Sequence, residues 1–320
     1  MDPMIYSDRE RELGRPLSHG RSEHFGDGEL ADRLLSLFDL AKIDGPAPPA
    51  REWIVPDYVP ANEVTLFTGP GGAGKSLLSQ QIATALSTGG RCLGMDLEPA
   101  PVLFVTAEDG EDELHRRQCA LGPLDPAKLF LASLRGVLAT ELATFDRDGE
   151  ISLTPLFEMI RATLDHTGAT VLILDNLAHL FGGNENDRGQ VTRFVNALYA
   201  LRRELGRDLT ILLIGHPNKS GDAYSGSTAW LNAVRSQIEI ARTEDEHDLD
   251  GRVLRVGKAN YARFGTETRF RWHDGAFVLD SELSQETRQQ LDEAIRVSGE
   301  NEAFLRCLRT RDEQGRGDVG

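Results

Sequence analysis

Long apolar runs are missing from this 320-residue chain. None approaches the roughly 18 consecutive residues needed to cross a bilayer. The opening Met1–Glu12 is polar and acid-bearing, where a secretory leader needs a basic start and an apolar core. The expectation is a cytoplasmic protein with no membrane partner. Cysteine is scarce too. Cys92, Cys119 and Cys307 are odd in number, far apart and free of any Cys-x-x-Cys pattern, which argues against a disulfide framework and a cysteine zinc site and fits a reducing compartment. Lysine is rarer than arginine, five against 30, and three of the five, Lys75, Lys219 and Lys258, fall in segments that carry candidate chemistry. Positive charge is short overall: 35 Lys and Arg against 51 Asp and Glu leave a net charge of −16. A broad basic nucleic-acid surface is excluded, and only a narrow local strip stays open.

What is present is a core. Apolar residues make up 40% of the chain and include dense runs such as Thr170–Leu174 and Leu209–Ile214, so disorder throughout is excluded. Residues 1–28 are polar and aperiodic and read as a mobile arm. Glu29–Ile43 places Leu30, Leu34, Leu37, Phe38 and Ala41 on one face of a short amphipathic helix, and the Pro-rich linker Gly45–Ala50 stops it. From residue 51 to 281, β-branched runs alternate with helical stretches. Strands are expected at Val64–Thr68, Val102–Thr106, Thr170–Asp175 and Thr210–Gly215, with helices at Lys75–Ser87, Pro155–Asp165 and Arg188–Leu205. That alternation predicts an α/β fold, a mainly parallel sheet with helices on both faces. After Arg235 the spacing shortens to Gln237–Arg242, Arg252–Lys258, Thr268–Trp272 and Ala276–Leu279, with turns at Asp250–Gly251 and Asp274–Gly275, which predicts an antiparallel extension. Residues 282–320 read as a C-terminal helical tail, helical over Glu282–Leu308 and loose over the last ten residues.

One motif is chemically explicit. Gly69-Pro-Gly71-Gly72-Ala73-Gly74-Lys75-Ser76 matches G-x-x-x-x-G-K-[ST], with an apolar strand before it and a helical pattern from Leu77 onward. Such a loop wraps backbone N–H groups around the phosphates of ATP at a helix N-terminus. Lys75 would reach the β and γ oxygens, and the Ser76 hydroxyl would bind Mg²⁺. A second element must help hold the metal. Thr170-Val-Leu-Ile-Leu-Asp175 is a buried-strand run ending in a carboxylate, which a parallel sheet brings beside Ser76. Hydrolysis also needs a group to orient water. Val102–Thr106 ends in Ala107-Glu108-Asp109, where a carboxylate can serve as general base, or both acids can open the next helix.

Several segments together resemble the RecA-fold ATPases of the RepA type, the hexameric plasmid replicative helicases and their phage and chromosomal relatives. They are Val105-Thr-Ala-Glu108-Asp109, the stretch from Asp175-Asn-Leu-Ala-His to Asn-Asp187-Arg188, Ile214-Gly-His216-Pro-Asn-Lys219, and Gly226-Ser-Thr-Ala-Trp230-Leu-Asn-Ala-Val-Arg235. The resemblance covers about Arg51 to Leu279. It implies a RecA-like P-loop fold and an ATPase that assembles as a homo-oligomeric ring, hexameric in the family, and works as a replicative helicase or translocase on single-stranded DNA. Glu108 would be the catalytic carboxylate, Asp175 the metal partner, His216 the sensor of the γ-phosphate, and Arg235 the finger reaching a neighbour's nucleotide. Lys258-Ala-Asn260-Tyr261 resembles the family's Lys-x-Asn-Tyr turn near the subunit boundary. It makes Lys258 a candidate contact across that boundary, with Tyr261 a candidate stack on adenine.

Ordinary readings stand beside these: His216 bonded to backbone, Arg235 paired with Glu239 or Asp245 on the surface, and Trp230 in the core. In RecA-fold rings the loops after the metal-binding and sensor strands face the channel. Here these are Phe181–Gln190 and Pro217–Ser227, with Arg188 and Lys219 as candidate DNA contacts. The first loop is net acidic through Glu185 and Asp187. A regulatory or recombination-accessory ATPase without unwinding activity is the alternative. The segment from Ala303 to Arg316 resembles the start of a helical module that relatives extend further.

Overall fold

A computed structural model of the chain describes residues 39–40, 43, 45–48, 50–215, 227–259 and 265–313. The arm, most of the Glu29–Ile43 segment, His216, Lys219, Tyr261 and residues 314–320 lie outside the described residues. The chain divides between Ala50 and Arg51 into two compact units, and every described strand belongs to the second.

In chain order the second unit opens with a two-stranded ribbon, β1 (Trp53–Val55) and β2 (Val59–Pro60), followed by β3 (Val64–Thr68) and α1 (Lys75–Thr88). A second ribbon, β4 (Arg91–Cys92) and β5 (Met95–Asp96), leads to β6 (Val102–Thr106), α2 (Glu111–Leu121) and β7 (Leu129–Ser133). Then come β8 (Ala143–Phe145), β9 (Ile151–Leu153), α3 (Pro155–Thr167), β10 (Val171–Asp175), α4 (Leu177–Leu180), β11 (Phe181–Gly182) and α5 (Arg188–Leu205). The remainder is β12 (Thr210–Ile214), α6 (Ser227–Ala233), β13 (Ser236–Arg242), β14 (Gly251–Ala259), β15 (Glu267–His273), β16 (Ala276–Val278), a 3₁₀ turn and α7 (Gln285–Glu313).

Nine of the described strands form one sheet in the order β16-β15-β14-β13-β3-β12-β10-β6-β7. The six from β13 to β7 run parallel, and β14, β15 and β16 extend the sheet antiparallel. The central strands β3, β6, β10 and β12 are buried at every residue, as a sheet covered on both faces requires. Alternate side chains divide between two cores: Phe67, Phe104, Ile173 and Leu212 meet Leu78, Ile82 and Leu86 of α1. Their neighbours Leu66, Leu103, Leu172 and Leu213 meet Phe157 and Leu164 of α3 and Phe194 and Leu198 of α5.

Four differences from the sequence reading concern elements. The edge strand β7, the small sheet of β11, β8 and β9, and both ribbons were not expected. The C-terminal helix begins at Gln285 rather than Glu282, because a 3₁₀ turn over Asp280–Glu282 comes first. The expected loop Phe181–Gln190 is shorter: its first two residues form β11, and Arg188 opens α5, whose N-cap Asp187 accepts from the N–H groups of Gly189 and Gln190 at 2.8 and 3.1 Å. Helix α2 begins at Glu111, so Glu108 and Asp109 precede it instead of opening it.

Candidate functional site

Parallel pairing brings four strand ends together. Asp175 lies level with Thr106 on one side and Ile214 on the other, and Ile214 lies beside Phe67. The loops leaving β3, β6, β10 and β12 therefore share one edge, the place where open parallel sheets bind ligands.

Residues 69–74 join β3 to α1 there. Gly74 is the N-cap of α1 with φ +100°, and a Cβ on it would stand 2.3 Å from Cζ of Phe277, so only glycine serves at this position. A Cβ on Gly69 would come within 2.4 Å of the Ile240 carbonyl oxygen. No side chain caps the first turn of α1, which leaves its dipole available to an anion. Ala73 is buried, and the Leu77 side chain packs against the core, so both can offer a ligand only backbone. Lys75 is buried, and its ammonium donates to the carbonyls of Gly69 at 2.7 Å and Pro70 at 3.2 Å. Burial lowers its pKa, and the nearby charges of Asp175 and Glu108 act in the opposite direction.

Asp175 is fully buried at the end of β10. Its Oδ2 accepts from the Thr106 hydroxyl at 3.2 Å, and its Oδ1 has no hydrogen-bond partner. Burial pushes its carboxyl from 3.8 up to about 6; a hydrogen bond from Ser76 opposes the rise, and the charges of Glu108 and Asp109 add to it. A buried carboxylate oxygen left unbonded beside a serine hydroxyl fits the outer shell of a nucleotide-bound Mg²⁺.

That burial makes Asp175 costly in the empty protein. Its raised pKa means a penalty fully present above pH 6 and lost as pH falls from 6 towards 3.8. Asp175→Asn is expected to stabilise the metal-free, nucleotide-free protein at pH 8 by about 2–3 kcal/mol. Urea unfolding in a chelator reads this. The gain should shrink to about half at pH 5, and a variant no more stable than wild type at pH 8 would contradict it.

Glu108 is exposed just beyond β6. The Thr106 hydroxyl accepts from the N–H groups of both Glu108 and Asp109 at 3.2 Å, which fixes the turn. Asp109 is committed to Arg117, with bonds of 2.6 and 3.2 Å to its two oxygens. Glu108 instead accepts from the side-chain amide of Asn176, the buried residue after Asp175. Thr106 and Asn176 are the positions the sequence reading missed. Each bonds to a residue it did name, and strand adjacency reveals both.

The remaining candidates lie elsewhere. Trp230 is core, edge-on to Phe181 at 5.1 Å and to Phe194 at 6.0 Å. Arg188 is exposed on the first turn of α5. Ser236 pairs with Thr65 while Glu239 pairs with Thr68, so Arg235 sits at the sheet edge opposite the phosphate loop. At about 3.3 Å per residue, roughly 13 Å of strand separates the two edges. Arg235 is exposed and forms no ion pair among the described residues, with neither Glu239 nor Asp245. Lys258, the candidate contact to another subunit, is bonded within its own chain. Within the chain its ammonium donates to the carbonyls of Val234, at 2.8 Å, and Leu231, closing the C-terminal end of α6. Burial lowers its pKa, and Arg235 lowers it further.

A phosphate loop between β3 and α1, and a buried acid ending β10 one strand away across β12, define a P-loop ATPase of RecA-like fold. A family model described as an AAA domain matches residues 31–222, more than half of the chain, and the protein belongs to that family. Nucleotide binding follows from that membership. No described helix is long and apolar enough to cross a membrane.

Proposed function

We propose that this protein hydrolyses Mg-ATP in a ring of identical subunits, hexameric as in the proteins it resembles, and acts on single-stranded DNA as a replicative helicase or translocase. Arg235 carries the oligomeric part of this reading. It is exposed, without an ion pair among the described residues, and too far along the sheet to serve its own phosphate loop. An arginine so placed is available to the nucleotide of a neighbouring subunit.

Ser76 and Asp175 would hold the magnesium ion, which neutralises charge on the transferred phosphoryl group. Lys75 binds the phosphates, and Glu108, held by Asn176, orients and deprotonates the attacking water. His216 is assigned to γ-phosphate sensing on the resemblance alone, and Tyr261, in a turn rich in Gly, Asn and Arg, to adenine stacking. Arg188 and Lys219 are assigned to the DNA strand, where one or two cations per subunit, repeated around a ring, can track a backbone despite the acidic exterior.

The acidic loop 183–187, with Glu185 and Asp187 beside Arg188, favours a second reading, an ATP-dependent regulatory or recombination-accessory protein. Hydrolysis with and without single-stranded DNA, together with unwinding of tailed duplexes, separates them. The helicase reading predicts stimulation and strand separation; hydrolysis indifferent to polynucleotide would leave the regulatory one.

A further inference from the structure

The antiparallel extension does more than widen the sheet. Together with β13, the parallel strand it pairs with, it meets the phosphate loop at three points: Ile240 of β13 against Gly69, Arg252 of β14 against Ala73, and Phe277 of β16 against Gly74. Gln81 of α1 fixes Phe277 in place by accepting from its N–H at 2.9 Å and donating to its carbonyl at 2.7 Å.

Among these contacts Arg252 is the anomaly. It is 7% exposed, and its guanidinium donates only to backbone carbonyls: Nε to Ala73 at 3.0 Å, and Nη1 to Leu249 at 2.7 Å and Gly251 at 2.9 Å. No described carboxylate lies within ion-pair distance of it. Asp248 faces it but is bonded to Arg271 at 3.4 Å, Asp250 acts from farther away, and Arg242 opposes both. A buried cation normally has a carboxylate partner, because backbone oxygens alone leave most of its desolvation cost in place. One of the three acceptors, the Ala73 carbonyl, belongs to the phosphate loop, and the N–H groups of the same loop are where a polyphosphate belongs.

We propose that Arg252 is a positioning residue for the phosphate loop, holding the Ala73 carbonyl outward and placing a buried positive charge behind the nucleotide's phosphates, whose negative charge compensates it. This rests on the reading of the loop as a nucleotide site and adds a cation from outside the motif. It predicts a dependence on phosphate number. Nucleotides that carry a β-phosphate should gain more from Arg252 than AMP does.

The test is equilibrium binding of AMP, ADP and a non-hydrolysable ATP analogue to the full-length wild type, Arg252→Met and Arg252→Lys, with urea midpoints of each free protein. Arg252→Met should weaken ADP and ATP-analogue binding about tenfold, equal to about 1.4 kcal/mol, and AMP binding by less than about threefold, about 0.65 kcal/mol. Its urea midpoint should equal or exceed that of wild type, since an uncompensated buried charge has been removed. Arg252→Lys, which keeps the charge, should recover most of the lost affinity, and in hydrolysis the loss should fall on KM more than on kcat. Met and wild type binding all three nucleotides alike, or Met and Lys losing affinity equally, would overturn the proposal while leaving the nucleotide site intact. Wild type binding none of them would instead remove the nucleotide reading itself. If Arg252→Met does not fold, Arg252→Gln takes its place: a loss of ADP affinity about threefold or more beyond the loss for AMP supports the proposal, and equal losses overturn it.

Discussion

Arg235→Ala is expected to lower ATP hydrolysis by about 10³- to 10⁵-fold, the range that arginine fingers supply, while nucleotide binding stays within about twofold of wild type. The size of the effect comes from what the residue would meet. Charge develops on the transferred phosphoryl group in a water-poor site, where a fixed cation acts far more strongly than in solvent. The selectivity for hydrolysis comes from placement. Arg235 precedes Ser236, which lies level with Thr65 at the far end of β3 from the phosphate loop, so it does not help its own subunit bind nucleotide. Lys258 fixes the same region by closing α6 through the Val234 carbonyl. A variant that hydrolyses ATP normally would return Arg235 to an ordinary surface role, and rapid-quench hydrolysis beside nucleotide titration distinguishes the cases.

Glu108→Gln is the second large effect. A general base contributes about 10²- to 10⁴-fold, and that loss is expected with nucleotide affinity unchanged or tighter. Glutamine keeps the size and the acceptor that Asn176 uses, so the loss isolates proton acceptance from positioning. Asp109→Asn is the control: its carboxylate is taken by Arg117, and hydrolysis should change by less than about threefold. Equal losses in both variants would mean that the turn's shape matters and that Glu108 has no distinct part in the chemistry.

Much of this site is legible from residues that lie together in sequence. The phosphate loop is contiguous and its glycines have one use, so Gly69–Ser76 reads directly. Asp175 reads as the end of an apolar strand. Helix α5 lies at its expected bounds: Asp187 caps one end, Gly206 turns left-handed at the other, and Val191, Phe194, Val195, Leu198 and Leu201 form a single buried face between them. Strand β7 was not expected, since Leu129-Phe-Leu-Ala-Ser is only five residues long and lies at a sheet edge with four of them partly exposed. The ribbons and the β8, β9 and β11 strands, two or three residues each, are too short to show a period. Side chains that act across strands were the least visible. Asn176 matters because β10 lies beside β6, and Arg252 because β14 folds back to the loop; among 30 arginines nothing in sequence marks that one.

The central claim is a site shared between subunits, and mixing two inactive proteins tests it most directly. Lys75→Ala subunits lack a working phosphate loop but keep Arg235; Arg235→Ala subunits have the reverse. In an equimolar mixture assembled at random, half of the subunits keep the loop and half of those have a neighbour that supplies the arginine. Hydrolysis should then recover to about one quarter of the wild-type rate. A mixture as inert as its two components would contradict the shared site.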